Sequence, residues 1–175
     1  SFIVDMQYKL HFAVAEEFIL NGGKGLILDV GAGTGALAEA LLQKEKFCLE
    51  ATDISEEMLK IADSKKIYKR SFLSDLTKEI PVDDGSYDGV VSSGTFTHGH
   101  VGPSSIRELV RVTKPGGLIT ISVNEKHWIS LDFAGEVENL NQYTRNFTLN
   151  KISIYGEQSK HDHKDDKAII LTIKV

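Results

Sequence analysis

The residues Leu26-Ile27-Leu28-Asp29-Val30 pass directly into Gly31-Ala32-Gly33-Thr34-Gly35, and a helix-period stretch follows at once. An apolar run this short has the character of a strand buried on both faces, as in a parallel sheet with helices on either side. Glycines at its exit let the backbone turn tightly and approach a ligand where a Cβ would collide. The helix start behind them offers N–H groups and a positive dipole end, suited to a carboxylate or phosphate. This unit therefore predicts an open α/β sheet whose ligand binds at the carboxyl edge of the strands.

The rest of the chain alternates accordingly. Asp5 to Leu20 places Leu10, Ala13, Val14 and Phe18 at helical spacing, with Asn21-Gly22-Gly23 as the stop. Thr34 to Lys44 reads as a helix, Phe47 to Thr52 as a second strand, and Ser55 as the N-cap of a third helix. Ile67 to Phe72 reads as the third strand, Pro81 to Gly85 as a turn, and Tyr87 to Ser92 as the fourth strand. Ser105 to Val112 is a predicted helix, Lys114 to Gly117 a turn, Leu118 to Val123 the fifth strand, and Ser130 to Asn139 a further helix. Lys151 to Tyr155 and Ala168 to Lys174 are strands with no helical stretch between them, so they should pair antiparallel at one edge. The expectation is a doubly wound, Rossmann-like α/β fold with seven strands, mostly parallel.

Size and charge narrow the function. A chain of 175 residues, 41% hydrophobic and 26% charged, fits one domain spanning residues 1–175. A net charge of -5 argues against a nucleic-acid binder. No apolar run reaches the ~20 residues of a membrane span, and the cytoplasm is the expected compartment. The lone Cys48, within Phe47-Cys48-Leu49, reads as a buried structural thiol. Because Ser1 opens inside an apolar-periodic stretch without a Met, residues are expected before it.

Asp53 ends the second strand, about 20 residues beyond Gly31, where nucleoside-binding folds of this plan place the acid that grips ribose hydroxyls. The loop also satisfies a loose dinucleotide pattern through Gly31, Gly33 and Ala36, so an NAD-dependent reductase is a rival. The small room for a nicotinamide substrate region and the terminal antiparallel pair weigh against it.

Four segments together resemble the class I S-adenosylmethionine-dependent methyltransferases, in particular their type 11-like domain group. They are Leu28 to Gly35, Asp53 to Leu59, Ile80 to Asp88, and Leu109 to Gly117, in that family's order. The resemblance implies transfer of a methyl group from S-adenosylmethionine, leaving S-adenosylhomocysteine, to an acceptor expected to be a small molecule. It implies that Gly31, Ala32 and Gly33 line the methionine and ribose end, that Asp29 is a further cofactor-binding residue, that Asp53 holds the ribose hydroxyls, and that Ile54 packs on adenine. Ser74, Asp75 and Leu76 would meet the adenine edge, and Ser92, Ser93 and Gly94 the sulfonium end. A binding module that keeps the nucleoside site without transferase activity is the other alternative.

A displacement at a sulfonium needs alignment first, and many acceptors also need a base. Histidine is neutral and basic near pH 7, which makes His98, in the loop after the fourth strand, the candidate base; His100 is a weaker one. His127 and Trp128 follow the fifth strand and are expected to shape the acceptor side, Trp128 as a partly buried wall. The run from His161 to Asp166 reads as a charged connection, and no metal is expected.

Overall fold

The computed structural model describes residues 2–96, 101–153 and 167–175, with side chains from residue 9 onward. In chain order the elements are α1 (Phe2–Leu20), β1 (Leu26–Val30), α2 (Ala36–Leu42), β2 (Cys48–Asp53), α3 (Glu56–Ser64) and β3 (Arg70–Leu73). There follow β4 (Tyr87–Phe96), α4 (Ser105–Val112), β5 (Thr113–Asn124), α5 (Glu125–Ser130), α6 (Phe133–Asn139), β6 (Asn146–Ser153) and β7 (Lys167–Lys174). They build one seven-stranded sheet in the order β3-β2-β1-β4-β5-β7-β6. Strands β1 to β5 are parallel, and β7 inserts antiparallel between β5 and β6. The doubly wound sheet with its antiparallel terminal pair is the fold the sequence predicts.

Strand alternation distributes the side chains between two layers. Ile27, Leu49, Val91 and Ile170 face α1 and α2, where Val14, Phe18 and Leu41 cover them. Leu28, Val90, Ile119 and Leu171 face the other way, against Leu109 of α4, Trp128 of α5 and Phe133 of α6. Asp29, flanked by Leu28 and Val30, therefore turns toward the α1–α2 layer, as Ile27 does. Helix α3 lays Leu59 over Ala32 and Ala51. Phe18 is fully buried, a burial that stabilises by about 1.5–3 kcal/mol.

Two of the family-like segments prove to be braces. Arg111 donates from its guanidinium to the carbonyls of Ile80 (2.8 Å) and Val82 (2.9 Å) and to Asp84, pinning the turn before β4. The Asp88 carboxylate accepts the Leu26 amide at 2.8 Å, which ties the start of β1 to β4.

Several boundaries differ from the sequence expectation, each for a local reason. The third strand is Arg70–Leu73, because Ile67 and Tyr68 instead pack against the α1–α2 core. Strand β4 continues past Ser92 to Phe96, with a register shift where Gly94 takes a positive φ of 80°. The predicted Lys114–Gly117 turn is absorbed into β5, since Gly116 donates to the Val175 carbonyl and Val175 to that of Gly117. The helix expected over Ser130 to Asn139 is split: Asp132 adopts φ 53° and its carboxylate caps α6 at the Gly135 amide. Strand β6 begins at Asn146, five residues before the predicted Lys151, and helices α1 and α2 begin and end within a few residues of their predicted limits.

Cys48 is a correction: it is exposed. It opens β2 at the rim, and burial of that strand begins one residue later, at Leu49. Cys48→Ser should accordingly change unfolding free energy by no more than about 0.5 kcal/mol. Urea denaturation of the variant tests this, and a loss above about 1 kcal/mol would restore the buried-thiol reading.

No helix among the described residues is long and apolar enough to cross a membrane.

Candidate functional site

A cavity of about 600 Å³ opens at the carboxyl edge, where β1 and its neighbours end. Four chain segments converge on it: Gly31 after β1, Thr52 to Ile54 at the end of β2, Ser74 to Thr77 after β3, and Gly94 with Thr95 in β4. Val101 completes the lining. The sheet order reverses between β1 and β4, and ligands of open α/β folds bind in the crevice such a switch point leaves.

Asp53 stands at the centre of this edge. One carboxylate oxygen accepts the Gly33 amide at 2.8 Å and the other accepts the Ser55 amide at 2.9 Å. The side chain thus joins the glycine loop to the start of α3, whose cap is completed by Ser55 Oγ accepting from Met58. A carboxylate has about four lone-pair sites, so each oxygen keeps one for a ligand hydroxyl. The capping role and a ribose-binding role are compatible in one residue.

The glycines differ in what they do. Gly31 has φ 65°, and a Cβ there would stand 2.0 Å from Thr95 Oγ1, so this glycine lets β1 meet β4. Gly33 and Gly94 also have positive φ, and a Cβ on either would project into open space. The amides of Ala32, Gly33 and Gly35 are committed to the Thr52 carbonyl, to Asp53 and to the Ala32 carbonyl. The loop is folded onto its own chain, so these three N–H groups do not face a diphosphate.

On the β2–β3 side, Ile54 is 72% exposed at the rim of the cavity, an apolar surface held beside carboxylates. Asp75 accepts both the Thr77 hydroxyl (2.6 Å) and the Thr77 amide (2.9 Å). These bonds hold its carboxyl below the usual carboxylate range, hence ionised at neutral pH. Thr52 Oγ1 donates to the Phe72 carbonyl, so at its 2.6 Å contact with Ser74 the serine hydroxyl is the donor. Ser74 and Leu76 border the cavity as the sequence reading expects.

On the β4 side the expected trio separates by strand alternation. Ser92 is buried and its hydroxyl donates to the Val30 carbonyl at 2.8 Å. Ser93 turns the other way and shares a 2.9 Å hydrogen bond with Nδ1 of His11 on α1. Burial lowers the His11 pKa, so the ring is neutral at pH 7. Gly94 alone of the three borders the cavity. Asp29, Ala32 and Gly33 also lie behind the lining rather than in it, with Asp29 only 1% exposed.

His98 and His100 lie outside the described residues, as does the run from His161 to Asp166. His127 is buried; its Nε2 donates to the Val101 carbonyl at 3.1 Å and its ring lies 5.4 Å from that of Phe133. It therefore holds the lining residue Val101 without lining the cavity itself. Trp128 stacks on Phe133 at 5.6 Å and is buried, so it supports the wall from behind. Sequence reasoning did not single out Thr52, Thr77, Thr95 or Val101. The first three carry a signal in hindsight, each being one or two residues from a position the motifs mark.

A second cavity, of about 770 Å³, lies at the opposite edge, between the start of β5 and the ends of α4 and α6. Its basic groups are taken: Arg107 pairs with Glu136, and Arg111 with Glu108, Asp84 and the turn carbonyls. It is larger than the carboxyl-edge cavity, yet the charged side chains described in its lining are all paired and the glycine loop is not part of it.

A methyltransferase-domain family matches residues 28–121, which include the glycine loop, Asp53 and β4. The chain belongs to the class I S-adenosylmethionine-dependent methyltransferases. Methyltransferase-like protein 27 of Homo sapiens is 39% identical over 98 residues, 55% of this chain and 40% of that protein. The ubiquinone/menaquinone biosynthesis C-methyltransferase UbiE of Burkholderia mallei is 34% identical over 133 residues, 72% of this chain and 53% of that one. The chain therefore spans about half, or less, of the length of these relatives. The methyltransferase solved in complex with the Trm112 activator of Haloferax volcanii shares the methyltransferase fold, with a TM-score of 0.68 over 94% of this chain and 90% of that one, at 17% identity.

Proposed function

We propose that this methyltransferase domain binds S-adenosylmethionine in the carboxyl-edge cavity and moves its methyl group to a small-molecule acceptor. The observation that carries the binding reading is Asp53, an acid at the end of β2 that is hydrogen-bonded to the glycine loop and bordered by exposed Ile54. The donor fits this chemistry: ribose hydroxyls would donate to Asp53, adenine would lie on Ile54, and its exocyclic amine would donate to ionised Asp75. Its methionine end would run past Gly31 toward Gly94, over open space that a Cβ on Gly94 would enter. Bound there, the donor supplies a methyl group on a positively charged sulfur. The protein supplies alignment, which accounts for most of what such a displacement requires.

The small-molecule acceptor is supported by the likeness to UbiE, a C-methyltransferase of ubiquinone/menaquinone biosynthesis, and by the net charge of -5, which gives no electrostatic footprint for nucleic acid. An NAD-dependent reductase is disfavoured because the Gly33 amide, which a pyrophosphate would need, is turned onto Asp53.

Thermal unfolding tests the donor. S-adenosylhomocysteine at ~100 times its dissociation constant should add about 2.7 kcal/mol, which raises Tm by roughly 5–10 °C for a domain of this size. NAD at the same concentration should leave Tm unchanged. A shift with NAD and none with S-adenosylhomocysteine would overturn the proposal.

A further inference from the structure

Tyr68 precedes β3, is in no motif, and reaches the underside of the glycine loop. Its hydroxyl donates to Asp29 Oδ2 at 2.6 Å. Its ring packs on the cluster formed by Ala32, Ala51 and Leu59. It also closes on Gly35 so nearly that a Cβ there would lie 3.3 Å from the phenol oxygen. Asp29 itself is 1% exposed, and Tyr68 is its one side-chain hydrogen-bond partner among the described residues. Tyr68 thus touches both the glycine loop, at Ala32 and Gly35, and the buried carboxyl two residues before Gly31, and it links the two.

We propose that Tyr68 is a positioning residue of the donor site: its hydroxyl holds the Asp29 carboxylate beneath the glycine loop, where that charge favours the donor's ammonium group. The inference rests on the donor reading above and extends it to a residue that does not touch the donor.

The surrounding charges define the pH behaviour. From β2, Asp53 faces Asp29 and disfavours its ionisation; Glu39 of α2 and Asp63 of α3 act on Tyr68, with Lys65 paired to Glu39. From α1, His11 is directed at Ser93. Burial, the largest influence, and then Asp53 push the Asp29 carboxyl up to about 7, while the Tyr68 bond pulls it down. Burial and Asp29 raise the Tyr68 phenol, so it stays a donor throughout. Loss of the hydroxyl must therefore move Asp29 further up and leave it protonated at neutral pH.

The test is titration calorimetry with S-adenosylhomocysteine from pH 5.5 to 9 on the wild type, Tyr68→Phe, Asp29→Asn and the double variant. Wild-type affinity should fall as pH drops through about 7. For Tyr68→Phe the same fall should occur at higher pH, with affinity about tenfold lower at pH 7.5 and near the wild-type value at pH 9. Asp29→Asn should bind weakly and without pH dependence in this range, and Tyr68→Phe should cost nothing more in that background. Asp29→Asn should also stay folded at pH 8, since it removes a buried charge, which makes its affinity loss a binding effect. A Tyr68→Phe curve that merely parallels the wild type shows packing alone and overturns the proposal. So does an Asp29→Asn protein that binds as the wild type does. A wild type that binds no S-adenosylhomocysteine at any pH removes the donor reading first, and this inference with it.

Discussion

Gly31→Ala should destabilise the domain by about 3 kcal/mol and abolish donor binding at concentrations that saturate the wild type. Two costs add. A non-glycine residue in the left-handed region loses roughly 1–2 kcal/mol, and φ at Gly31 is 65°. The new Cβ would also meet Thr95 at Oγ1 (2.0 Å) and Cγ2 (2.9 Å), and forcing a methyl group into packed structure costs about 1–3 kcal/mol. Thr95 is β-branched and sits in β4, so it has little freedom to turn aside. Binding suffers because any relief must come from parting the loop from β4, and both border the cavity. Adding Thr95→Ala should return most of the packing part, a tight 3.0 Å contact with the Cβ of residue 95 remaining, and leave the backbone part, a partial rescue that a simple loop-flexibility account does not give. Calorimetric unfolding of the two single variants and the double variant decides the matter. Wild-type stability in Gly31→Ala, or no rescue by Thr95→Ala, would refute the close-approach role.

The fold was legible in the sequence because its signals are local. Leu26 to Val30 is a buried strand by composition alone, and the loss of any helical stretch between Lys151 and Lys174 announces the antiparallel pair. The misplaced limits are those set by tertiary contacts: Tyr68 is drawn out of β3 by the α1–α2 core, and β5 is lengthened by Val175, whose partnership with Gly116 and Gly117 no local pattern predicts. The site follows the same division. Gly31 and Asp53, which the spacing marks, and Ile54, Asp75 and Gly94, which the family resemblance implies, border the cavity. That spacing says where a residue stands but not which way it turns, so Ser92 and Ser93, adjacent in sequence, end in opposite layers. Nor could it find Tyr68 or His11, whose partners lie 39 and 82 residues away.

Asp53→Ala should weaken S-adenosylhomocysteine binding by about 1.5–3 kcal/mol, roughly 10- to 150-fold, the worth of hydrogen bonds to a charged acceptor. The structure complicates this expectation, because the same carboxylate also receives the Gly33 and Ser55 amides. Removing it frees both, and a loop that has lost its tether could bind poorly with no ribose contact involved. The two causes respond differently to the ligand. If Asp53 grips the ribose, a 2′-deoxy analogue should already have lost part of the interaction, and Asp53→Ala should cost that analogue markedly less than it costs the parent. If Asp53 only tethers the loop, the variant should lose the same factor with both ligands. A thermal melt of the free variant completes the cycle: half-exposed amides can take water in place of the carboxylate, so the loss of stability should stay near 1 kcal/mol. Equal losses with the two ligands would leave Asp53 as a loop anchor, and parent binding unchanged by the substitution would remove it from the site altogether.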